Sequence, residues 1–119
     1  MLQARCHCGA IRIDLAGPPA HLIDCNCSIC RRHGALWARY APADVTVSGS
    51  PDAPVAYLWG RHTLRTLHCG HCGCVTHWVP LDAQAGTPWG INMRNVDAAS
   101  LEGVRIRRFD GAETWVYRD

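Results

Sequence analysis

The 119-residue chain has no lysine: all twelve of its basic residues are arginine. We read that absence as genome composition rather than mechanism. Long apolar runs are also missing, so no segment is suited to cross a membrane. The first residues, Met1-Leu-Gln-Ala-Arg5, lead straight into a cysteine pair and show no apolar leader pattern, and the expectation is a cytoplasmic protein. A strongly basic balance is lacking too. The net charge is +2 with a pI near 8.2, short of a dedicated nucleic-acid binder. Arg105, Arg107 and Arg108 make a poor basic stripe, because on a strand the third faces away from the first two. No window of ten or more residues has helical periodicity, and there is no repeat, low-complexity tract or linker. One domain over residues 1–119 is the expectation at this length.

What the chain has in excess is cysteine. Eight cysteines fall in three clusters: Cys6-His-Cys8, Cys25-Asn-Cys27-Ser-Ile-Cys30 and Cys69-Gly-His-Cys72-Gly-Cys74. In a reducing compartment such clusters indicate metal ligation before disulfides. Thiolates one or two residues apart can grip one tetrahedral zinc, whose bonds to sulfur are about 2.3 Å. Cys6, Cys8, Cys69 and Cys72 make up one closed four-cysteine site that ties the first strand to the middle of the chain. Cys25, Cys27 and Cys30 supply three sulfurs, the count of a zinc that keeps a position for substrate. The alternative is a second closed site, with Cys74 or His33 as its fourth ligand. Two zinc ions are expected.

Arg31 and Arg32 follow the middle cluster. Either guanidinium could offset thiolate charge or hold a substrate carboxylate; equally, both could be solvated turn residues. His7 and His71 sit inside the cysteine turns and are expected to face solvent. His21 and His62 have no partner in sequence, while His68 and His77 flank the third cluster as possible pocket residues. The tryptophans read first as core, with Trp37 and Trp78 the candidates for pocket walls.

Most of the remainder is β. Ile11–Leu15 alternates and ends at Gly17-Pro18-Pro19. His21–Asp24, Leu36–Tyr40, Val45–Val47, Ala56–Trp59, Leu64–His68, Val75–Val79 and Val104–Phe109 are further strand candidates. Thr114–Tyr117 follows an Asp110-Gly111 turn signal. Ser28–His33 has room for one helical turn capped by Ser28.

Cys6-His-Cys8-Gly9-Ala10, Cys25-Asn-Cys27-Ser-Ile-Cys30-Arg31-Arg32 with Gly34, and Cys69-x-x-Cys72-Gly73 together resemble the glutathione-dependent formaldehyde-activating enzyme family, which includes centromere protein V. The resemblance runs over nearly the whole chain, with three motifs in the same order. It implies a β-tent, a small zinc-stapled fold of short antiparallel sheets with little helix. It assigns Cys6, Cys8, Cys69 and Cys72 to a structural zinc. It assigns Cys25, Cys27 and Cys30 to a second zinc that a thiol such as glutathione can approach. The implied activity is carbon–sulfur lyase chemistry on a thiol and a small aldehyde, glutathione and formaldehyde in the named case. A non-catalytic two-zinc module that carries a small thiol or binds a partner protein is the competing reading. This chain departs from the family's glutathione enzyme in being shorter and in having cysteine at position 74, where that enzyme has a small hydroxyl residue.

Overall fold

The computed structural model describes residues 1–60, 63–82, 84 and 86–119, so His62 lies outside the described residues. The chain is mainly β, in two sheets with one short α-helix among the described residues. Strands β1 (Leu2–Arg5), β2 (Ile11–Leu15) and β5 (Val45–Gly49) form a three-stranded antiparallel sheet in the order β1-β2-β5. Seven strands form the larger sheet: β3 (Leu22–Cys25), β4 (Trp37–Tyr40), β6 (Pro54–Tyr57), β7 (Leu64–Cys69), β8 (Val75–Pro80), β9 (Trp89–Asn92) and β10 (Ile106–Phe109). Their order is β10-β3-β4-β9-β8-β7-β6. Every pair is antiparallel except β10 with β3, which runs parallel from Ile106↔Leu22 to Phe109↔Cys25.

Alternation explains how the layers meet. In β2, Ile11, Ile13 and Leu15 are buried while Arg12 between them is exposed, the period-two pattern of a strand with one face covered. Those residues join Ala4, Leu22, Ala38, Ile91 and Met93 in the main core. Both faces of the large sheet are used. Ala38 and Tyr40 of β4 belong to the main core, whereas Trp37 packs with Ile23, Ala35 and Trp78 in a second, smaller core.

Two hairpins carry the cysteine pairs. The β1–β2 turn holds Cys6 and Cys8, with Gly9 N–H donating to Cys6 O at 3.0 Å. The β7–β8 turn holds Cys72 beyond Cys69, with Gly73 N–H donating to Cys69 O at 2.8 Å. Gly9 and Gly73 have φ of 80° and 83°, a left-handed geometry that glycine adopts without a Cβ penalty. A register shift at Leu67/His68 lies just before Cys69, the kind of bulge that re-aims a strand end.

The single helix, α1 (Ser28–His33), differs from the sequence reading at its cap. Cys27, not Ser28, is the capping residue, and its sulfur accepts from Cys30 N–H at 3.4 Å. Thr114–Tyr117 is no strand either. Only Phe109↔Tyr117 bridges there, because the Asp110 carboxylate takes the Thr114 N–H and hydroxyl.

Candidate metal centres and their cleft

The two hairpin turns converge. The sulfurs of Cys6, Cys8, Cys69 and Cys72 all lie within 4.8 Å of one another. Cys6 to Cys8 and Cys8 to Cys69 are each 3.7 Å apart. A tetrahedron with zinc–sulfur bonds of about 2.3 Å puts its sulfurs roughly 3.8 Å apart, so the set fits one zinc ion. The surrounding amides favour sulfur in its charged form. Ile11 N–H reaches Cys6 Sγ at 3.3 Å and His71 N–H reaches Cys69 Sγ at 3.4 Å. Amides of Cys74 and then Cys8 hold the Cys72 thiol down at about 5. Cys6 belongs to the small sheet's hairpin and Cys69 to the large sheet's, so a metal here would pin one sheet to the other.

The second group is Cys25, Cys27 and Cys30, again within 4.8 Å. Cys25 ends β3, Cys27 caps α1 and Cys30 lies within its first turn. The Cys30 thiol donates to Cys25, which, with the Cys27 amide, lowers Cys25 to about 6 against the opposing effect of burial. That hydrogen bond and burial raise Cys30 correspondingly. Trp37 Nε1–H also donates to Cys30 Sγ at 3.2 Å. Outer partners of this kind orient metal ligands. Gly111 closes the group from the other side: a Cβ at that position would lie 2.6 Å from Cys25 Sγ.

The second group opens onto a cleft of about 640 Å³. The four-thiol group borders no part of it. The cleft lies over the face of the large sheet that carries Trp37, Thr66 and Trp78. Trp37 and Trp78 meet edge-on, their rings 6.5 Å apart. Both serve as walls, as their place beside the cysteine motifs indicated.

Other candidates fall elsewhere. Cys74 is not gathered with Cys25, Cys27 and Cys30; it lies beside the four-thiol group, with its sulfur near the His7 amide, Cys72 and Cys6. The tight turn after Cys72 keeps it there, since Cys74 O also accepts from Cys69 N–H at 2.9 Å. His33 lines the cleft but is not one of the three clustered thiols' metal-distance partners. Burial lowers its pKa, as does the nearby charge of His68.

Arg31 and Arg32 do not line the cleft. Ile29, Cys30 and His33 share the helix face that does, by their spacing of three and four. The two arginines point off that face, and Arg32 donates to Ser28 O at 2.8 Å. His77 is buried on the opposite side of β8, stacked on Trp89 and 2.8 Å from Thr76 Oγ1. His7 and His71 are exposed, as expected of turn residues. His21 meets the Tyr117 ring edge-on. Arg105 and Arg107 are committed to Asp119, and Arg107 also covers the Tyr117 ring at 3.7 Å.

Sequence reading missed Arg39, Trp59, Phe109, Gly111 and Trp115 as cleft residues. For Arg39 a signal existed: it is two residues beyond Trp37, hence on the same strand face. Nothing local marked the others.

The sequence matches the family model for the glutathione-dependent formaldehyde-activating enzyme over residues 1–105. The fold is also similar to the crystal structure of a Rhodobacter sphaeroides protein determined by structural genomics, with a TM-score of 0.70 and 29% identity. That similarity covers 87% of this chain and 98% of the other.

Proposed function

Because the chain belongs to the glutathione-dependent formaldehyde-activating enzyme family, we propose that its cleft joins a small thiol to a small aldehyde and cleaves the adduct in reverse. One observation carries this reading: of the two cysteine groups, the three-thiol group alone borders the cleft. Cys25, Cys27 and Cys30 would hold a zinc there, and Cys6, Cys8, Cys69 and Cys72 a structural one. A zinc with three protein thiolates supplies a place where an incoming thiol loses its proton readily.

The chain's own residues do the rest. Trp37 Nε1–H fixes Cys30 Sγ, and the Cys30 amide fixes Cys27 Sγ. Trp37 and Trp78 keep water off the reacting groups. His33, whose lowered pKa leaves it neutral near pH 7, is the base in the cleft that takes the thiol proton. In the forward direction the thiol sulfur bonds to the carbonyl carbon. The carbonyl π pair moves to oxygen, which receives the proton that the thiol gave up. The outcome is a carbon–sulfur bond, and the lyase direction breaks it.

The structural site would contribute to folding what zinc does in small metal domains, on the order of 10–16 kcal/mol of coupled binding energy. Reduced thiols suit a cytoplasmic setting. Among the described residues, no helix is long and apolar enough to cross a membrane.

The test is exchange NMR with ¹³C-formaldehyde and glutathione. Zinc-loaded protein should speed exchange between free aldehyde and adduct. Cys27→Ala should abolish that acceleration and melt close to wild type, whereas Cys72→Ser should lose its cooperative melt. A wild-type protein with two zinc ions and buffer-level exchange would reject catalysis; if it still bound the thiol, it would be a carrier module.

A further inference from the structure

Four of the five tryptophans line one cleft: Trp37, Trp59, Trp78 and Trp115. Its volume of about 640 Å³ lies within the range of roughly 300–1,000 Å³ that encloses a molecule of drug size. A one-carbon aldehyde and a thiol group need little of that surface. The excess is aromatic, and a substrate that uses it must present an apolar group.

Trp115 makes the point most directly. It is 71% exposed, yet its φ is 60°, a conformation bulky residues seldom adopt. Hydrogen bonds on both sides hold it there. Trp115 N–H donates to Asp110 O at 2.7 Å, and Asp110 N–H donates to Val116 O at 2.9 Å. Asp110 is itself buried and fixed by Asn26 Nδ2 at 2.9 Å and Thr114 Oγ1 at 2.8 Å. The indole meets Phe109 edge-on, with centroids 5.7 Å apart. The same turn presses Gly111 onto Cys25. It therefore closes the three-thiol group and holds out an aromatic ring beside it. Residues 106–119 lie past the end of the family match, so this wall is not among the features that the match covers.

Arg39 supplies charge on the other side. It stands two residues past Trp37 on β4, in one row with Gly90 and Trp78 across the sheet. The row is flat because a Cβ at Gly90 would fall inside the Trp78 indole. No Asp or Glu lines the cleft among the described residues, and Arg39 makes no ion pair among them. A guanidinium with no ion-pair partner among the described residues, in one row with Trp78, suits a ligand carboxylate.

We propose that the thiol this cleft takes is an aryl-bearing thiol acid, with its sulfur at Cys25, Cys27 and Cys30, its carboxylate on Arg39 and its ring against Trp115 and Phe109. The proposal deepens the thiol–aldehyde reading and rests on it for the sulfur alone.

Isothermal titration of the zinc-loaded protein with five probes tests it. They are 2-mercapto-3-phenylpropanoate, 2-mercaptopropanoate (no ring), 2-phenylethanethiol (no carboxylate), 3-phenylpropanoate (no sulfur) and glutathione. The first should bind about tenfold more tightly than each of the others. Trp115→Ala should remove its advantage over 2-mercaptopropanoate and leave its advantage over 2-phenylethanethiol. Arg39→Gln should do the reverse. Circular dichroism of both variants should match wild type, since both side chains are exposed. Equal binding of 2-mercaptopropanoate or glutathione, or uniform weakening of all probes by either variant, would overturn the assignment. If 3-phenylpropanoate bound as tightly as its thiol counterpart, the sulfur reading would fail while the aryl-acid assignment stood. If thiols bound in preference to their sulfur-free counterparts without regard to ring or carboxylate, only the present inference would fail.

Discussion

At position 111 a hydrogen stands where a methyl group would meet the Cys25 sulfur at 2.6 Å and Cys27 Cβ at 3.3 Å. Gly111 does not have a positive φ, so alanine can adopt its backbone and the conflict is purely steric. We expect Gly111→Ala to push Cys25 out of its group. Zinc measured by mass spectrometry should fall from two ions per chain towards one, with the melt nearly unchanged. Full retention of both ions at wild-type affinity would show that the turn does not shape the site. The Asp110-Gly111 pair signals a turn but not this contact. The turn and the middle cysteines are joined across the fold, as in the Asn26–Asp110 hydrogen bond between residues 84 positions apart. The Cys25-x-Cys27-x-x-Cys30 spacing, in contrast, is local, and local spacing sufficed to group those thiols.

At the scale of elements, β8 shows how one strand serves two faces. Trp78 turns to the cleft and His77 to the interior. Burial, followed by the charge of Arg65, lowers His77 to about 4. The neutral ring is therefore the native form, and the unfolded chain binds a proton first. Stability from His77 is full above its ordinary value of 6.5 and is lost as pH falls from there towards about 4. His77→Gln should flatten the fall in denaturant midpoint across that window. An unchanged slope would mean that His77 titrates as an exposed histidine does. Strands with clear alternation or β-branched runs, such as Ile11–Leu15 and Val75–Pro80, were readable. β1 was not, since four residues before a cysteine turn carry too little pattern. Nor was the parallel direction of β10, which depends on which edge of the sheet it meets. The cap of α1 was read as Ser28 because serine caps by habit, but the clustered thiol of Cys27 takes that amide instead.

For the whole molecule, the cysteine motifs grouped the thiols that could hold zinc, and the family resemblance they carried implied the mainly β fold in two sheets. The cleft required the fold: its lining spans the seven-stranded sheet from the edge strand β10, with Phe109, to β7, one strand in from the other edge, with Thr66. The same folding gives the two cysteine groups different surroundings. One lies between hairpins from both sheets, and the other faces the cleft. A thiol–aldehyde chemistry in the cleft requires that the second group leave room for a thiol. The most direct measurement is the absorption spectrum of the protein with cobalt in both sites, titrated with glutathione. A thiol joining the three cysteine sulfurs should change the charge-transfer and ligand-field bands in a saturable way, and Cys27→Ala should abolish the response. A wild-type protein fully loaded with cobalt whose spectrum is unmoved by any small thiol would contradict the account.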